Sequence, residues 1–210
     1  MSNLISISPP ISRIPLHQFI HLRGGLSFRA AIREVVGGGT WAVQLRDFHQ
    51  GQGPDWETVI ETTTPRELSE HEWLQPGNIL IAARGARFFA ALMEDVRPRT
   101  VASSQFMVLT VKDAKVLAPA FLAWQLNQAP AQAWFDGHSK GAVQRNLTRA
   151  AIENATIAVP SLAFQESVAN LARLAKRERA AFEEIIRIRE AQLNNVAVTL
   201  NAALESKESQ

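Results

Sequence analysis

The 210-residue chain has no cysteine, which excludes disulfides, thiolate metal sites and a thiol nucleophile. No apolar run approaches the roughly 18 residues of a membrane span, and Met1 to Arg13 has neither a basic start nor a long apolar stretch. The expectation is a cytoplasmic protein with no membrane partner. Charge of one sign is also lacking, since 22 basic and 20 acidic side chains leave a formal +2. After Pro160 there is no glycine and no proline at all. The length holds one domain of roughly 100 to 150 residues plus a remainder, or one large domain, and not two complete enzyme domains. What is present is 46% apolar and 20% charged, the balance of a globular chain with a sizeable core rather than of disorder.

The near-neutral total hides a distribution. Residues 1–159 carry 15 basic side chains, 12 of them arginine, against 13 acidic ones, and the remainder is balanced at 7 and 7. The guanidinium fork suits phosphates and guanine edges, so the first part points towards nucleic acid, although arginine also serves ordinary ion pairs.

Glycine and proline punctuate the chain as far as Pro160, at Gly37-Gly38-Gly39, Gly51-Gln52-Gly53-Pro54, Gln75-Pro76-Gly77, Arg97-Pro98 and Asp136-Gly137. Between them, Thr40–Phe48, Asn78–Arg84, Gln105–Val111 and Ala155–Val159 read as strands. Leu117–Gln128, with Pro119 near its start, and Thr148–Asn154, with Thr148 as N-cap, read as helices. The fold class is α+β: a β-rich mixed domain over residues 1–160, a long helix over 161–204 and a disordered tail over 205–210. The helix would run about 65 Å. Val168, Leu171, Ala175, Phe182, Ile185, Ile186, Leu193, Val196 and Leu200 lie close to one stripe, which needs a partner surface. A strict heptad through Val168 puts Glu178, Arg189 and Gln192 on the seam, residues that weaken a simple zipper and can fix register. Folding back on its own domain would satisfy about half of such a helix. Pairing with another subunit, as an antiparallel coiled coil or helix bundle, is the expectation.

Several chemistries find little support. Gly137-His138-Ser139-Lys140-Gly141 spells the G-x-S-x-G of a serine-hydrolase elbow, which requires a strand before it and a later histidine. A helix end precedes it and no histidine follows His138. His17, His21, His49, His71 and His138 lack metal-site spacing, and there is neither a dinucleotide fingerprint nor a Walker loop. No metal and no cofactor is expected. Polar and basic residues at strand ends and in loops remain: Gln44 and Arg46, placed on one face of a strand, Arg84 and Arg87 about Gly85, and Lys140, Gln144, Arg145, Asn146 and Arg149 after Gly137. These residue types contact adenine and guanine edges. Each alone fits a solvated surface equally well, and their shared placement in loops distinguishes the group.

The order of segments resembles one half of the specificity subunit of type I restriction-modification systems. Arg23-Gly24-Gly25-Leu26-Ser27-Phe28 with Trp41–Phe48 is similar to the family's opening glycine segment and its strand ending in Asp. Leu74-Gln75-Pro76-Gly77-Asn78-Ile79-Leu80 with Arg84-Gly85 resembles L-x-x-G-D-I-L followed by R-G, and Val101–Leu109 precedes Pro119-Ala120-Phe121-Leu122, which resembles P-x-Y-L. Gly141–Thr148, Ile157–Pro160 and Gln165 look like G-x-x-Q-x-N-L-S, I-x-x-P and the glutamine opening the long helix. Asn78 stands where Asp is usual, and Phe121 where Tyr is common in a chain with no Tyr. The larger departure is length, one recognition domain and one helix against two of each.

The resemblance implies a non-catalytic, sequence-specific DNA-binding subunit that takes a DNA methyltransferase, and with it a restriction translocase subunit, to a bipartite site. S-adenosylmethionine and ATP would belong to those partners. Gln44, Arg46, Arg84, Arg87, Lys140, Gln144, Arg145 and Asn146 would contact double-stranded DNA, and Val168, Leu171, Phe182, Ile185, Leu193, Val196 and Leu200 would form a homodimer. The competing readings are a recognition domain of another methyltransferase-linked phage-defence complex, a solitary DNA-binding regulator, a coiled-coil scaffold and the serine hydrolase of the Ser139 elbow.

Overall fold

The structure, a computed structural model, describes residues 13–48, 53–85, 87–141 and 145–208, with side chains as far as Asn201. The chain divides into a unit ending at Ser167 and a second beginning at Val168, so the first turn of the long helix belongs to the first unit rather than beyond a boundary at 160.

The strands in chain order are β1 (Arg13–Pro15), β2 (Ile20–Gly24), β3 (Thr40–Val43), β4 (Ile60–Thr62), β5 (Ile79–Ala82), β6 (Ala90–Leu92), β7 (Thr100–Ala102), β8 (Phe106–Val111) and β9 (Thr156–Ala158). The helices are α1 (Pro119–Leu126), α2 (Ala129–His138), α3 (Arg149–Glu153) and α4 (Leu162–Glu208). An antiparallel sheet has the order β2-β8-β5-β6, a second sheet has β4-β3-β7 with β3 and β7 parallel, and β1 pairs with β9.

The expected strands over Asn78–Arg84, Gln105–Val111 and Ala155–Val159 are β5, β8 and β9. Thr40–Phe48 is different: the strand stops at Val43, and Leu45–Asp47 is a 3-10 turn. The Gln44 side chain accepts from the Asp47 N–H while the Asp47 carboxylate accepts from the Gln44 N–H at 2.7 Å. This reciprocal cap gives the backbone a local alternative to the ladder. Gln44 and Arg46 therefore do not share a strand face.

Period-2 burial places the core. Val43 joins Leu80, Ala82, Met93, Phe106 and Val108 in the larger cluster, with Trp41 packed against it, whereas Ala42 turns to a smaller cluster with Leu26 and Val101. Phe48, Phe89 and Phe106 meet with ring centroids 5.2 to 6.2 Å apart. Gly25 has no room for a side chain, since a Cβ there would lie 2.0 Å from the Ser103 carbonyl oxygen. That approach explains the glycine that follows β2.

Side chains complete the sheet edges. Asn127 accepts the Ala90 N–H at 2.9 Å and donates to the Ala90 carbonyl at 2.7 Å, serving β6 as a further strand would. Gln125 does the same for Ala158 of β9, and the Arg149 guanidinium donates to the Leu22 carbonyl of β2 at 2.9 Å. Thr148 caps α3, its hydroxyl accepting from the Ala151 N–H at 3.1 Å.

α4 is 47 residues, about 70 Å at 1.5 Å per residue. It runs to Glu208, beyond the end expected at 204, so the segment from Glu205 continues as helix that far. Glu205, Lys207 and Glu208 are good helix formers with no breaker among them.

Candidate nucleic-acid interface

Two loops of the first unit meet through their backbones. Asn146 bridges Arg84 on one side and Lys140 on the other. The Gly85 N–H donates to the Arg145 carbonyl at 3.1 Å, Leu147 N–H to the Ala83 carbonyl at 2.8 Å, and Lys140 and Asn146 exchange both backbone bonds at 2.9 Å. Three chain segments thus lie side by side at the strand spacing of about 4.8 Å, which sets Arg84 and Lys140 roughly 10 Å apart. Gly85, at φ +125°, makes the turn that carries the chain from Arg84 towards Arg87. A Cβ on Gly85 would lie 3.7 Å from the Leu45 side chain, so the 3-10 turn bearing Arg46 borders the same loop.

Arg46, Arg84, Arg87 and Lys140 are exposed. Among the described residues no carboxylate pairs with Arg84, Arg87 or Lys140, and Arg46 Nε lies 3.7 Å from an Asp47 oxygen. Unit charges at that backbone spacing of about 10 Å would repel by only about 0.4 kcal/mol in water, a small cost for leaving such cations free to meet an anion.

The other expected contacts fare differently. Arg145 is held: it pairs with Asp136, its Nε donates to the Ser139 hydroxyl at 3.2 Å, and its guanidinium lies 4.7 Å from the Phe88 ring centroid. It joins the end of α2 to both loops. Gln44 is committed to the Asp47 cap, with its Nε2 buried and unpartnered. Asn146 is the central rung, and Arg149 is bound to Leu22 and Glu153. Gln144 lies outside the described residues. The hydrolase elbow finds no strand before Ser139: the preceding residues are the end of α2, and its hydroxyl donates to the Asp136 carbonyl at 3.0 Å.

Asp47, fully buried, anchors the turn beneath Arg46, and burial raises its carboxyl above the usual range. The Thr58 hydroxyl donates to it at 3.4 Å, and its carbonyl accepts from the Asp55 N–H at 2.7 Å. Asp47 and Asp136 are the positioning acids that loop composition did not mark. Much of the arginine excess is structural as well. Arg97 lies 4.5 Å from the Trp41 ring and 5.2 Å from the Trp56 ring, Arg99 lies 5.0 Å from Trp73, and Arg66 pairs with Glu72 at 2.5 Å. Arg23 donates to the Trp73 carbonyl at 3.4 Å, and burial lowers its pKa.

In the second unit, Leu171, Phe182, Ile185, Leu193, Val196 and Leu200 are between 53% and 70% exposed, and Val168 is half-buried. The stripe is also wider than expected, since Leu174 and Ile188 at its border are exposed as well. No helix among the described residues is long and apolar enough to cross a membrane, and no group of three or more metal-ligating side chains is present among them.

No protein-family model matches the sequence, and no curated protein matches it at a significant level. Solved structures do. The S subunit of a type I restriction-modification system from M. genitalium matches with a TM-score of 0.58 at 12% identity, over 88% of this chain and 44% of that one. The HsdS subunit from Thermoanaerobacter tengcongensis matches with a TM-score of 0.56 at 16% identity, over 87% and 42%. A chain from a structure describing complex assembly and conformational transition of the type I R-M system gives 0.60 at 17% identity, over 93% and 46%. The chain spans less than half the length of these proteins, and across that span it has the fold of the type I S subunits.

Proposed function

We propose that the protein is a DNA sequence-specificity subunit that directs a DNA methyltransferase, with a restriction subunit as a further partner, to a bipartite target. The observation that carries this reading is the pair of exposed cations Arg84 and Lys140, gathered by backbone pairing through Asn146 on loops of an S-subunit fold, with exposed Arg87 three residues beyond Arg84 and no carboxylate partner for any of the three among the described residues. Such a cluster fits phosphates and guanine edges, the phosphate contacts setting position and the edge contacts setting sequence. Arg46 borders it. Arg145 and Asn146 hold the loops, and Gln44 holds the turn.

Two chains pair through α4 in this reading. Turned end for end about a point near Glu184, the stripe meets itself, with Val168 opposite Leu200, Ala175 opposite Leu193 and Phe182 opposite Ile186. A two-fold dimer of this kind presents two recognition units to an interrupted palindrome.

Selection from randomised duplex DNA tests the reading, and the expected product is a two-part symmetric site with a fixed spacer. Arg84→Ala relaxes one position in each half by about 5- to 150-fold, the range of 1 to 3 kcal/mol for a bidentate pair. A uniform loss over all sequences would reassign Arg84 to phosphate. Unchanged binding to every probe would remove it from the interface, and binding insensitive to salt would overturn the DNA reading.

A further inference from the structure

We propose that Gln165 is a positioning residue that fastens α4 to the recognition domain and so fixes the spacer between the two half-sites. The inference rests on the proposed DNA reading, and its observations are independent of the cation cluster. Gln165 is the only side chain of α4 in the buried class among the described residues, with no exposed surface at all. Uncharged amides are rarely buried so completely unless every polar atom is used. Here the Ala118 N–H donates to Oε1 at 2.8 Å, and Nε2 donates to the Val116 carbonyl at 2.9 Å and to the Pro160 carbonyl at 2.8 Å.

These three backbone groups come from two separate places in the chain. Val116 and Ala118 precede α1, where Ala118 is an N-cap residue with no side-chain cap of its own and Pro119 supplies no N–H. Pro160 ends the connection from β9. One amide therefore stitches the entrance of α1, the exit of β9 and the first turn of α4. An apolar side chain of equal size would fill the space and leave the three groups unpaired.

The position gives this fastening leverage. About 43 residues of α4 follow Gln165, or about 65 Å, and a slack of about 10° at its start displaces the far end by about 11 Å. That is about three base-pair rises of duplex at about 34 Å per turn. Loosening the amide should thus change which spacers are accepted far more than how one half-site is bound.

The test uses the full chain with Gln165→Met, and Gln165→Leu as a second apolar replacement, thermal melting selecting the variant that stays folded. On DNA carrying both half-sites, wild type should prefer one spacer over those one base pair longer or shorter by tenfold or more. The variant should keep single-half-site affinity within threefold while this preference falls below threefold. A spacer profile unchanged from wild type in a folded variant overturns the proposal. A DNA-free arm separates this outcome from failure of the DNA reading. The chain has no cysteine, so Val36→Cys and Arg177→Cys place a spin-label pair on exposed sites, diluted with unlabelled chain. The distance distribution should at least double in width in the variant, and an unchanged width rejects the role of Gln165 whether or not DNA is bound.

Discussion

The two units of the chain answer the same physical demand in opposite ways. In the unit ending at Ser167, Leu80, Met93, Phe106, Leu109, Leu122 and Ile152 have 1% or less of their surface exposed, whereas from Arg173 to Asn201 every side chain of α4 is exposed. Burying one large apolar side chain is worth about 1.5 to 3 kcal/mol. The first unit gains that within itself, and α4, with Phe182 at 65% and Leu193 at 70% exposure, gains it only by meeting something else. A helix depends on such packing more than on propensity. A self-contained unit joined to a helix with an unburied apolar stripe suits the proposed role, in which two such units are held at a set distance.

The contrast can be broken from either side. Phe106→Ala should cost about 3 to 5 kcal/mol, because its ring packs on both Phe48 and Phe89. Denaturant titration should show the first unit losing that stability while self-association through α4 persists, and loss of both together would mean that the two units fold as one. Leu193→Asp is the converse, weakening the proposed self-association by about 2 kcal/mol per chain, or about 4 kcal/mol and roughly 900-fold for a two-fold dimer. Sedimentation equilibrium should show this with the melting of the first unit unchanged, and undiminished self-association would place the contact elsewhere.

Acid titration gives the smallest effect and sharpens the account of the first unit. The hydrogen bond from Arg66 lowers Glu72 from 4.5 to about 2. Its contribution to stability is therefore complete above about 4.5 and is lost as pH falls towards 2. Asp47 is raised by burial, so its contribution has the opposite sign, complete below the ordinary carboxylate range and lost as pH rises through its folded value. Glu72→Gln should flatten the acid limb of a Tm against pH curve between 4.5 and 2, by a small amount because the pair lies at the surface with Arg66 exposed.

The sequence announced those elements that carry a local signal. The six residues of β8, the four buried residues of β5 and the Thr148 cap of α3 are legible in runs and caps. β1, β4, β6 and β7 are three residues each, too short to show a period. β2 did have one, with Ile20 and Leu22 buried about an exposed His21. At the candidate site, loop placement and residue type pointed to Arg84, Arg87 and Lys140, which are exposed in the structure. Arg145 could not be separated from them, because what occupies it is Asp136, nine positions back, brought into reach only by the end of α2. Gln44 was misplaced because Asp47 looks like the end of a strand and acts as a cap.

The side-chain rungs at the sheet edges bear on how such a molecule avoids polymerising. An open strand edge is a template for pairing with another chain. Here β6 meets Asn127, β9 meets Gln125 and β2 meets Arg149, so backbone groups that could recruit a stranger's strand are already engaged by the protein's own amides and guanidinium. Sheet-to-sheet growth is discouraged at three edges while an apolar helical stripe stays available. Under the proposed pairing, the chain's appetite for a partner is thereby channelled into a helical contact that would close after two copies, and away from a β contact that could add copies without end.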